Sequence, residues 1–182
     1  LGIILLAFAC SEKKVEDSEY VKSIKAHRAE KDSTMQVSET SPFNAKGEIK
    51  FSPLIYYPID SNFVYESKLT KYEAPEAITI YGTQGEKRNA VRFGYLDIKA
   101  DTTFKLNVYQ IQISDSAYYY AVWFTDKTTA SETYGVGRYL DFEYEDNPDK
   151  VYTIDFNLAY NPWCAYNIAY SCAVPTKEDH LP

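Results

Sequence analysis

The chain has 182 residues, enough for one domain with a sizeable core. Its formal net charge is −7, and its basic residues cluster only between Lys13 and Lys31, where acids dilute them. That balance excludes nucleic acid as a partner, because phosphate binding needs a basic face.

The first residues, Leu1 to Cys10, form an apolar run that ends in small residues and a cysteine. The run is too short to span a bilayer and reads as the end of a secretory signal. Ala9 before Cys10 resembles a bacterial lipobox, although Ala7 stands where a larger aliphatic residue is more usual. Cys10 is therefore the expected lipidation site. The expected location is the bacterial cell envelope, exported and lipid-anchored, with the membrane surface as a partner. Residues 11–18 read as a charged tether, and residues 19–182 as a single β-rich domain.

From Glu19 to about Gln36 the chain is rich in helix formers, with Asp17 or Ser18 able to cap the start. Its apolar stripe is thin (Tyr20, Val21, Ile24, then Met35), which predicts a surface helix over one end or edge of a sheet. Ser41-Pro42-Phe43 ends it. Alternation then predicts strands over Ile49–Tyr57, Phe63–Leu69, Ala77–Tyr81, Ala90–Ile98, Thr103–Ile113, Ala117–Thr125, Arg138–Tyr144 and Val151–Phe156. Gly82–Glu86, Lys99–Asp101 and Asp146–Asp149 read as turns. Within Thr103–Ile113 the apolar face changes from Phe104, Leu106 and Val108 to Ile111 and Ile113, which predicts a bulge. Eight or nine strands with one helix point to an antiparallel sandwich or partly closed barrel, followed by a long irregular C-terminal segment. If Arg138–Tyr144 and Val151–Phe156 form a hairpin, one register places Arg138 opposite Asp155. A one-residue slip instead pairs Leu140 with Ile154 and Phe142 with Tyr152, buries more apolar surface and is favoured.

Hydrogen-bonding and special-backbone residues crowd into the last third. The ligand-binding candidates are Tyr134, Gly135, Gly137, Arg138, Asp155, Asn157, Tyr160, Asn161 and Tyr166. Two glycines beside an arginine suit an anion clamp or a tight turn carrying a structural ion pair. With Cys10 lipidated, Cys164 and Cys172 remain as an even pair, and a disulfide is expected in an oxidising compartment. Cys164, Cys172 and His180 with Asp155 or Asp179 are zinc-ligand types, but their spacing matches no strong metal motif. No metal or cofactor is expected.

These blocks, from Tyr56-Tyr57-Pro58-Ile59-Asp60 through Gly137-Arg138-Tyr139-Leu140 to Tyr160-Asn161-Pro162 and Cys164-Ala165-Tyr166, resemble the bacterial domain-of-unknown-function 1684 family from about Tyr20 to Pro182. The chain departs from the family pattern at Ala130, usually Gly, at Ala173, usually Pro, and at Asp179, usually Asn. The resemblance also implies a final strand beyond Leu181-Pro182. It attaches no activity. The reading is an envelope-anchored binding module for a small molecule, glycan or protein, with the C-terminal Tyr/Arg/Asn cluster as its site. The alternatives are a hydrolase using that cluster through Asp155 or Cys164, and a purely structural domain with its tail pinned.

Overall fold

The computed structural model describes residues 18–47 and 49–182; the expected signal end, Cys10 and all of the tether except Ser18 lie outside them. Helix α1 (Glu19–Val37) begins at Ser18, whose hydroxyl accepts the Val21 amide at 3.3 Å, and it stops short of Pro42. Six strands follow, β1 (Val64–Tyr81), β2 (Lys87–Lys99), β3 (Thr103–Ser114), β4 (Ala117–Phe124), β5 (Arg138–Asp141) and β6 (Val151–Asp155). They form one antiparallel sheet in the order β5-β4-β3-β2-β1-β6. The architecture is therefore mainly β with one N-terminal helix, as expected.

Leu140 on one edge strand and Ile154 on the other share a core with Leu96, Ile98, Leu106, Val108, Val122 and Phe124. The two edges can meet in one core only if the sheet curls, so it is a half-barrel with its concave face filled. A second cluster, Ile80, Ala90, Tyr109 and Trp123, lies on the other face, where Ala173 of the tail covers it. Backbone bonds fix that cover, Thr83 N to Cys172 O at 2.9 Å and Val174 N to Tyr81 O at 2.8 Å.

Four expectations need correction. The strands predicted at Phe63–Leu69 and Ala77–Tyr81 are one strand, broken in register between Lys71 and Glu76 where Pro75 lacks an amide to donate. The stretch Ile49–Tyr57 is extended but joins no sheet. Side chains of α1 satisfy its backbone instead: Asp32 accepts the Leu54 amide at 3.3 Å and Arg28 donates to the Tyr57 carbonyl at 2.8 Å.

The register break expected midway along β3 is not there. The extra residue of β3 itself is Ile113 near its end, where Gln112 and Ser114 face Tyr118 and Ala117. Level with the phase change the break is on β2, where Arg92 and Gly94 face the consecutive residues Tyr109 and Val108 and Phe93 is extra. Gly94 is required there, since a Cβ would sit 2.5 Å from the Thr70 carbonyl. The apolar face of β3 changes before the Ile113 bulge, because Leu106 to Tyr109 are buried on both sides of the sheet.

Finally, β5 and β6 are not a hairpin in either expected register. β5 pairs with β4 and β6 with β1, so the two strands are the opposite edges of the sheet.

Candidate functional site

The structure divides the predicted cluster into separate groups. At the entrance to β5, Tyr134 O accepts the Gly137 amide at 2.9 Å in a tight turn. Gly137 has φ +105°, and a Cβ there would lie 2.4 Å from the Phe124 carbonyl, so only glycine fits. Gly135 has no such need. Arg138 is mostly buried and pairs with Asp126, stacked between the Phe124 and Tyr57 rings. Burial works to raise the Asp126 carboxyl, but the Thr128 hydroxyl and the Arg138 charge outweigh it and hold the group below its ordinary range. The structural ion pair is thus with Asp126, not Asp155. Ala130 has φ +65° in the same loop, which explains why glycine suits that position.

Asp155 and Asn157 form a second knot. Asp155 accepts the Tyr20 hydroxyl at 3.0 Å and the Asn157 amide at 2.8 Å. The Asn157 side chain accepts from Asp60 N at 2.9 Å and donates to Tyr20, Asp60 O and Asp155. Burial and the Asp155 contact push the Tyr20 hydroxyl up to about 12. This knot fastens α1 to β6. Burial raises the Tyr166 hydroxyl while the neighbouring Asn161 side chain works to lower it, and the Tyr166 ring packs 5.4 Å from Phe43.

Cys164 and Cys172 are free thiols, so the expected disulfide is not formed. The Cys172 sulfur accepts the Cys164 backbone amide at 3.2 Å and also lies against the Cys164 thiol without being bonded to it. Burial raises the Cys172 thiol to about 11, the opposite of an activated nucleophile. His180 hydrogen-bonds Thr125 at 3.0 Å. Among the described residues no three His, Cys, Asp or Glu side chains are grouped to hold a metal.

Tyr160 belongs to a different place: it exchanges backbone bonds with Tyr139 of β5 at 2.9 and 3.0 Å and so covers one end of the seam between the two edge strands. The seam holds a cavity of about 90 Å³ with an apolar floor of Leu106, Val122, Leu140, Ile154 and Leu158, and with His27, Asp141, Thr153 and Asp155 around it. It adjoins an open slot of about 400 Å³ between residues 141–145 and 150–154. Tyr160 donates to Asp141 at 2.7 Å while Lys31 lies 3.8 Å over its ring. Burial pushes the Lys31 ammonium below its ordinary range, and Asp141 partly restores it.

His27, Lys31, Asp141 and Thr153 were not among the sequence candidates. One signal was present. Ile24, His27, Lys31 and Met35 recur at three- and four-residue spacing, so the face that α1 turns to the protein has a polar middle.

A model of a family described as protein of unknown function, DUF1684, matches residues 49–182. No curated protein matches the chain. The solution NMR structure of an uncharacterised protein of Haloarcula marismortui is similar, with 28% identity over 88% of each chain and a TM-score of 0.63.

Proposed function

The chain belongs to the DUF1684 family, and we propose that it is a non-catalytic binding module whose ligand enters the seam between β5 and β6. The observation that carries this reading is the cavity itself. An apolar floor with a few converging polar groups is the usual build of a binding pocket, and here it lies between the two edge strands of the curled sheet. The Tyr/Arg/Asn cluster is reassigned to holding the tail and helix, because the polar atoms of Arg138, Asp155 and Asn157 are spent on protein partners. The thiol route to catalysis through Cys164 is weakened by the burial of that side chain and by the engagement of His180 with Thr125.

The test is a small-molecule screen by thermal shift on the protein and on Thr153→Trp, a change at an exposed position of the slot wall. Ligands that stabilise the parent and lose their effect in the variant support the seam. Ligands that act equally on both place the site elsewhere.

The location forms part of the same proposal. The apolar run ending at Ala9-Cys10 and the charged stretch after it support export and a lipid anchor. Incorporation of a labelled fatty acid into the precursor, lost in Cys10→Ser, is the expected result; equal labelling of both would contradict it.

A further inference from the structure

We infer that Cys164 and Cys172 form a two-coordinate site for a soft monovalent cation, copper(I), separate from the seam. The fold brings the two sulfurs together from different segments. Cys164 sits on the tight turn Trp163–Ala165, and Cys172 on the stretch of tail bonded to the end of β1. The Cys172 sulfur accepts the Cys164 amide at 3.2 Å and lies against the Cys164 thiol with no bond between them.

Both backbones are fixed independently of the sulfurs. Thr83 donates its amide to the Cys172 carbonyl at 2.9 Å, and its hydroxyl accepts the Cys172 amide at 3.2 Å. Between the cysteines, buried Asn167 donates to the Pro42 carbonyl at 2.8 Å and accepts the Ala169 amide at 2.9 Å. The two thiols are therefore a preformed chelate, and an ion that joins them loses little to ordering the chain.

The number of ligands chooses the metal. Zinc requires four donors, or three with an open position. His180 is engaged with Thr125 at 3.0 Å, and among the described residues no third His, Cys, Asp or Glu joins the two thiols. Copper(I) prefers sulfur donors and is satisfied by two thiolates on opposite sides of the ion. Binding replaces two S–H bonds with two S–Cu bonds, releases two protons and leaves the copper in the same oxidation state. The complex carries one negative charge. The Cys164 amide meets that charge directly at the Cys172 sulfur, and Arg88, held on the Ser171 carbonyl at 2.8 Å and shared with Glu86, acts on it from nearby. Cys164 is buried and Cys172 half-buried, so one sulfur reaches the surface and can admit the ion.

The experiment is an anaerobic copper(I) titration in competition with a chromophoric chelator. It uses the chain carrying Cys10→Ser, in which these two cysteines are the only ones left. The expected result is one copper(I) per chain, with two sulfur ligands by X-ray absorption. Cys172→Ser should weaken binding by more than ~100-fold, since loss of an outer hydrogen-bond partner alone costs a metal site ~10–100-fold. Bound copper(I) should also protect both thiols of the unmutated pair from alkylation, a measurement that needs no change at either cysteine. Equal alkylation with and without copper(I), or unchanged affinity in Cys172→Ser, would overturn the inference. A third ligand in the absorption spectrum, or zinc held as tightly as copper(I), would overturn the two-coordinate site. No uptake of copper(I) by the fully reduced chain would contradict it outright.

Discussion

The C-terminal cluster and the β5–β6 seam are made of similar residues, yet they use them in different ways. In the cluster, Asn157 alone satisfies Tyr20, Asp155 and both backbone groups of Asp60, and Arg138 is sandwiched between two rings against Asp126. In the seam, Glu143 stays unpartnered among the described residues, on a wall that runs past the Tyr139–Tyr160 pairing beside an apolar floor. A dense set of polar residues therefore marks a place where the chain needs fastening, whereas unused hydrogen-bonding capacity beside an apolar floor marks a place where something else can bind. The difference is testable, because damage to the cluster should cost stability and damage to the seam should cost only binding.

The largest effect is expected at Arg138. Removing it leaves Asp126 mostly buried without its cation, and Arg138→Ala is expected to cost about 3–5 kcal/mol in urea unfolding. A loss below about 1 kcal/mol would mean that the cluster is not the fastening. Next comes the glycine pair. Gly137→Ala forces a Cβ against the Phe124 carbonyl at positive φ and is expected to cost about 2–3 kcal/mol. Gly135→Ala meets only ordinary contacts and should stay within about 0.5 kcal/mol by the same measurement.

Acid sharpens the same contrast. The Asp126 carboxyl titrates lower in the folded chain than its unfolded value of about 3.9, so the unfolded state binds more protons between the two values. The stability it contributes is complete above about pH 5 and is lost as pH falls through the depressed folded value. Urea midpoints between pH 2 and 6 should fall less steeply in Asp126→Asn than in the parent. Parallel profiles would remove Asp126 from the account. Ala130→Gly relieves a left-handed alanine and is expected to stabilise by about 0.5–1 kcal/mol, after the entropic cost of glycine is set against the strain. The smallest change in stability is expected at the seam, where Thr153→Trp should leave unfolding within about 0.5 kcal/mol while abolishing ligand binding.

Much of the fold is readable from local pattern. Alternation locates β2, β3 and β4 almost to their ends, and Ser18 with Pro42 brackets the helix, because the causes of those elements lie within a few residues of them. Pairing is different. Asp146-Asn147-Pro148-Asp149 is a sound turn signal, and the chain does turn there, but β6 finds Val64–Lys68 of β1 as its partner, a choice set by distant residues. Ile49–Tyr57 alternates like a strand, yet Asp32 and Arg28 of the helix take the hydrogen bonds a neighbouring strand would make. The site was legible only in part. Asp155 and Tyr160 were found through their residue types, but the cavity arises from two edges that no short window of sequence brings together.

The most direct measurement is an amide chemical-shift map of the labelled protein titrated with a ligand found by the thermal-shift screen. The account predicts that the largest shifts fall on residues 141–145 and 151–155, with His27 following and residues 134–138 little changed. Shifts centred on Tyr134 to Arg138 and on Asn157 to Tyr166, with the β5 and β6 edges silent, would return the site to the C-terminal cluster and contradict the account.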